Sequence, residues 1–207
     1  MKFKNIFIYG LILLYSLNGH GQKEDENKWD FEKKYFIGSQ AFILFTPLLD
    51  PSPEYFQLSF GYRFSPKDEI SIEGITWAYQ GPLGRPYGPN YENPDSGFPG
   101  DVKAIGGGIA YKRFLWKGAF AQIHSTALRQ IYRDENKNKI QNGFQLFNTL
   151  RFGYHFKIFK KRWFISPSVA FTNWPINTNL PESFQIEEDK WSNYFLFEPG
   201  LQFGFAF

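Results

Sequence analysis

The chain has 207 residues, enough for one domain, and no cysteine, which excludes a disulfide frame, a thiol nucleophile and a thioether-linked lipid anchor. Aromatics make up 21% of it, as 25 Phe, 12 Tyr and 6 Trp, yet mean hydropathy is −0.40 and no run beyond residue 21 approaches the ~18 apolar residues of a membrane helix. The formal net charge is +3 without a long basic block, so nothing speaks for nucleic acid as a partner.

Lys2 and Lys4 precede an apolar stretch over residues 6–17, with Gly19 and Gly21 at the −3 and −1 positions of a cleavage before Gln22. Residues 1–21 therefore read as a signal peptide; the apolar stretch is short for a spanning anchor. Loss of the two lysines takes the charge from +3 to +1. Residues 22–34, QKEDENKWDFEKK, form a polar lead-in without strand pattern.

From residue 35 onward the apolar residues recur with period two, which predicts strands. The first is expected over 35–44, with Tyr35, Ile37, Ala41 and Ile43 alternating with Gly38 and Gln40, before the loop FTPLLDPSPE. In the second, 55–64, Phe56, Leu58, Phe60, Tyr62 and Phe64 share one face, and Gln57, Ser59, Gly61 and Arg63 the other. A tight Ser65-Pro66-Lys67 turn leads to 68–79, with Ile70, Ile72, Thr76 and Ala78 opposing Glu69, Ser71 and Glu73. Residues 80–100 are rich in Pro and Gly and read as the longest loop.

The strand over 102–114 carries Gly106-Gly107-Gly108, and a turn at 115–117 leads to 119–132. There Gln122, His124, Thr126 and Gln130 oppose Ala121, Ile123, Ala127 and Ile131, with Arg129 on the apolar side. After the loop DENKNKIQ, the strand over 142–156 sets Phe144, Leu146, Leu150, Phe152, Tyr154 and Phe156 against Gln145, Thr149, Arg151, Gly153 and His155. The turn Phe159-Lys160-Lys161 leads to 162–174, where Pro167 falls mid-strand and predicts a bulge or weak pairing. A longer loop, 175–190, precedes 191–207. There the odd positions from Trp191 to Phe207 are almost all apolar, and the even ones include Glu198, Gly200, Gln202 and Gly204.

A sheet with one aromatic face and one small, polar or acidic face suits lipid outside and a packed polar lumen inside. Eight strands joined by connections that alternate long and short predict an all-β fold, an eight-stranded antiparallel up-and-down transmembrane β-barrel over residues 35–207. Tyr35, Tyr62, Phe64, Tyr111, Phe156, Trp163, Phe205 and Phe207 gather at the short-turn end as an interfacial girdle. The architecture resembles the small eight-stranded outer-membrane barrels of the OmpA-transmembrane, OmpX and OmpW kind. Phe203, Phe205 and Phe207 resemble the signal read by the barrel-assembly machinery, although Gln202 stands where that signal usually has glycine. The resemblance implies a Gram-negative outer-membrane location, with membrane lipid, the assembly machinery and a further membrane protein as partners.

The lumen-facing charges are Arg63, Glu69, Glu73, Lys112, Arg151, His155 and Glu198, with His124 beside them. They read as a paired electrostatic plug or as a proton or ion path. The turn at Pro66 should set Arg63 opposite Glu69 and Ser59 opposite Glu73, and His124 should lie roughly opposite Gly108. His124-Ser125 is no nucleophile pair, because strand neighbours point to opposite faces; the same-face residue is Thr126, and no carboxylate is evident to orient the ring. Three His without Cys, and without a HExxH spacing, give no metal motif. Gly106-Gly107-Gly108 lies inside a strand and lacks the lysine-serine ending of a phosphate loop, so no cofactor is expected. Tyr79, Tyr87, Tyr91 and Phe98 in and beside the longest loop are candidates for surface contact. The expected function is a non-catalytic structural, accessory or interaction role, its outer loops meeting lipopolysaccharide, a ligand or a partner protein. The alternatives are a lipid-modifying enzyme and a narrow pore for small solutes.

Overall fold

The computed structural model describes residues 33–41, 54–84 and 97–207. The expected signal peptide, most of the lead-in, Tyr87 and Tyr91 lie outside the described residues. The elements are β1 (Tyr35–Gln40), β2 (Tyr55–Arg63), β3 (Asp68–Tyr79), β4 (Asp101–Trp116), β5 (Ala119–Arg133), β6 (Lys139–Tyr154) and β7 (Phe156–Ile158). The one-turn helix α1 (Phe159–Arg162), β8 (Trp163–Thr178), helix α2 (Glu182–Glu188) and β9 (Tyr194–Ala206) follow.

Every neighbouring pair is antiparallel, and the sheet closes on itself through β1 and β9, where Ile37 faces Phe205. His155 interrupts β6 and β7, yet the register against β8 runs through the break, from Gly153 opposite Ser168 to Phe156 opposite Ile165. The two pieces are one stave, so the ring has eight. Eight staves enclose a space that side chains can fill. The fill is polar: Gln57, Ser59, Arg63, Glu69, Lys112, Thr126, Gln130, Gln145, Ser166 and Thr172 are buried. The outer wall is apolar: Phe56, Leu58, Phe60, Ile72, Ile109, Phe152, Val169 and Leu201 are exposed. The faces of β2, β3, β5, β6 and β8 follow the period-two reading, with Ile123 and Arg129 outward on β5.

The two ends of the ring differ. At one, the turn end, the connections are 64–67, 117–118 and 159–162; at the other, the loop end, they are 41–54, 80–100, 134–138 and 179–193. The connection at 134–138 is shorter than expected because β5 and β6 stay paired out to Arg133 and Lys139. Asp134 ties it off, its carboxylate accepting from the Asn138 N–H at 2.8 Å.

Pro167 makes no bulge. It points outward and faces Leu201 in unbroken register. The irregularity of this pair lies higher, between Ala170 and Thr172 of β8, opposite Phe197 with φ 59°. That left-handed residue adds a position to β9 and exchanges its faces. Below it the odd residues point out, as expected. Above it Tyr194 and Leu196 are exposed, and Phe195 turns in against Trp174 with ring centroids 5.2 Å apart. The alternation from Trp191 to Phe207 is therefore two alternations joined out of phase.

Candidate functional site

The lumen side chains form three tiers. The lowest, at the turn end, is built on the β2–β3 hairpin and β4. Arg63 and Glu69 are register partners, as expected, with Nη2 3.3 Å from Oε2. Lys112, opposite Glu69 on the other side, holds the second carboxylate oxygen at 3.0 Å. All three are buried. Phe114 lies under the Arg63 guanidinium at 4.3 Å, and Phe120 and Phe36 flank the Lys112 ammonium. His155 is close by, its Nδ1 3.0 Å from Ser166 Oγ and its ring against Phe164.

The middle tier has two halves. Glu73 faces Ser59 on one side and Gly108 on the other; Gly108 in turn faces Thr126. Because Gly108 has no side chain, groups on β3 and β5 meet across β4. Glu73 Oε1 lies 2.9 Å from His124 Nε2 and accepts from Thr126 Oγ1 at 2.8 Å, while Gln57 Nε2 donates to Oε2. The register partner of His124 is Ala110 and not Gly108, but a Cβ at Gly108 would still sit 2.7 Å from His124 Nε2. Contrary to the sequence reading, then, a carboxylate does reach this histidine. It reaches the same nitrogen as Thr126 Oγ1, 3.1 Å away. A hydrolytic triad needs the acid on one ring nitrogen and the nucleophile on the other; a triangle on Nε2 holds the ring and relays nothing.

In the other half Arg151 reaches from β6 across β8. Its Nη1 donates to Ser168 Oγ at 3.0 Å, and its Nη2 lies 3.6 Å from Glu198 Oε1. Gly200 makes the room: a Cβ there would meet Arg151 Nη1 at 1.9 Å. Thr172 Oγ1 donates to Glu198 Oε2, and Thr149 and Thr172 share a hydrogen bond at 3.0 Å. The Glu198 side chain is 37% exposed, so this half is wetter than the Glu69 cluster.

The top tier closes the loop end. Phe184 of α2 is fully buried among Phe98, Val102 and Tyr132, with Tyr79 and Leu180 against them. Tyr79 and Phe98, expected on the surface, are thus part of an internal stopper. Tyr79 Oη accepts from Gln130 Nε2 at 2.9 Å. Trp174 Nε1 and Asn177 Nδ2 both donate to Glu188 Oε1 at 3.2 Å, tying the C-terminal end of α2 to β8. Burial raises the Glu188 carboxyl above its usual range, and these two donors oppose the shift in part. Outside the stopper, Asp101 on β4 takes Arg133 at 2.6 Å and Lys137 as well, pinning the 134–138 turn.

The tiers bring Arg63, Glu69 and Lys112 together beside His155, Glu73 with His124, and Arg151 with Glu198. Gln57, Thr126, Ser168 and Thr172 complete the network and were legible only as polar residues of inward parity. Phe184 and Glu188 carried no strand signal. No protein-family model, no curated protein and no solved structure matches the chain.

Proposed function

We propose that the chain is a bacterial outer-membrane β-barrel, delivered after cleavage of residues 1–21, with a structural, accessory or interaction role and no catalysis. The observation that carries the reading is the inverted wall: charged and amide side chains packed inside, and an exposed apolar belt outside. A belt of that extent on a protein in water would drive association; in a bilayer it is the solvated face. Around the turn end Tyr35 stacks on Phe60 and Phe207 and packs tilted against Tyr62, and Trp163 packs on Phe205, a collar suited to the headgroup region. The stopper on α2 and the tiers beneath it favour a closed barrel over a pore, and the Nε2 triangle at His124 disfavours the enzyme reading. Loops at the other end from the collar would face outward and meet lipopolysaccharide, a ligand or a membrane-protein partner.

The test is fractionation of expressing cells, followed by electrophoresis with and without boiling. The protein should sediment with outer membranes, begin near Gln22 and shift in mobility on boiling. Recovery as a soluble species would end the reading.

A further inference from the structure

Three polar side chains interrupt the apolar outer wall. Ser125 of β5, Asn148 of β6 and Asn173 of β8 have outward parity, each next to a buried threonine, Thr126, Thr149 and Thr172. They are register partners in succession: Ser125 faces Asn148, and Asn148 faces Asn173. They therefore form one polar seam across three staves. The row beneath it is Ile123, Leu150 and Phe171, and the row above it is Ala127, Leu146 and Ile176, all apolar. Ser125 Oγ donates to Asn148 Oδ1 at 2.8 Å. Asn148 Nδ2 and the Asn173 amide make no hydrogen bond among the described residues. Both asparagines are only half-buried, so their amides reach the surface of the wall. A hydrocarbon chain offers an amide neither donor nor acceptor, and leaving it unbonded there is costly.

We propose that this seam is the surface through which the barrel pairs with a second copy of itself. The inference rests on the membrane reading above. Copies inserted by one route stand the same way up, so a symmetric pair is related by rotation about the membrane normal. Such a pair presents the seam at one depth from both sides, a match that lipid chains do not offer. An amide is donor and acceptor at once and so complements its own copy. Because the staves of a barrel are tilted, the two seams cross instead of overlying, and the crossing falls on the middle stave. There Asn148 meets its own copy, each Nδ2 donating to the other's Oδ1, with Ser125 and Asn173 to either side.

The chain has no cysteine, so one introduced thiol reports on one place. Leu150→Cys lies a row below Asn148 on the outer face, and Leu58→Cys lies on β2, four staves round the ring. The experiment treats outer membranes from cells expressing the full chain, with one cysteine or the other, with a short bis-maleimide. A product of twice the chain's mass is expected from Leu150→Cys, several-fold above that from Leu58→Cys. Adding Asn148→Leu and Asn173→Leu should weaken the association roughly tenfold, through loss of a reciprocal pair of hydrogen bonds within the membrane. Leucine suits a lipid-facing wall, so heat-dependent mobility should persist in that variant. Equal yields from the two cysteines overturn the proposal, as does an unchanged yield with the leucines in place. A Leu150→Cys product whose mass includes a different protein also overturns it and gives the seam to that partner. Heat-dependent mobility on the same membranes separates the two ideas. A sample that lacks it fails the barrel reading, and one that has it without seam-dependent cross-linking fails only this proposal.

Discussion

Glu69 is the side chain on which the lumen depends most. Its two oxygens hold two buried cations, which are left facing each other without a counter-charge if it is lost. Glu69→Leu should lower stability by about 3–5 kcal/mol, the cost of leaving buried charge uncompensated. Arg151→Leu should cost only about 1–2 kcal/mol. Glu198 is partly solvated and keeps its Thr172 hydrogen bond after the arginine has gone. Urea midpoints in detergent for the two variants give the order. A larger loss for Arg151→Leu would mean that the Glu198 half is the drier one.

At the scale of elements, α2 is a stopper whose hold depends on one aromatic and one carboxyl. Phe184→Ala removes the centre of the loop-end cluster and should cost about 3–5 kcal/mol of docking. The ring of staves does not depend on it, so the variant should keep heat-dependent mobility while protease cuts within 179–193 much faster. Glu188 gives the docking a pH dependence. Its carboxyl is raised in the folded state, so the stability it contributes is fully present below its usual value of 4.5 and is lost as pH rises through the folded value. Protease sensitivity at 179–193 should accordingly increase as pH rises from about 4.5 towards neutrality. Glu188→Gln keeps the acceptor for Trp174 and Asn177 and should flatten that rise. A rise of equal size in the variant would place the titrating group elsewhere.

For the whole molecule, closure is the decisive event. The seam lies between β1 and β9, and its lower end is made by Tyr35 and Phe207, which exchange backbone hydrogen bonds at 3.1 and 2.8 Å and stack their rings. Phe207→Ala removes the ring and keeps the bonds. On the membrane reading, assembled barrel in the outer membrane should fall several-fold while synthesis is unchanged, because the same ring belongs to the aromatic series Phe203, Phe205 and Phe207. A seam that closes equally well without it would leave wild-type levels in a quantitative blot of boiled and unboiled membranes.

Strand number, the direction of each side chain and the inside-out polarity followed from sequence, because in a strand the backbone alone sends successive side chains to opposite faces. Parity put Arg63, Glu73, His124 and Arg151 in the lumen, and the tight turn at Pro66 set Arg63 against Glu69. What parity does not hold is stagger across the ring. His124 meets Glu73 only because Gly108 leaves β4 bare between them, and Arg151 meets Glu198 only because Gly200 leaves β9 bare. Both depend on the register of staves that are distant in sequence. The phase change at Phe197 was hidden because both faces of β9 are apolar above it, so one extra residue leaves no mark on the pattern. The stopper was hidden for a related reason. The seven residues of α2 are too few to show a helical period between Pro181 and Asp189, and docking against Phe98 and Tyr132 supplies the order that local propensity does not.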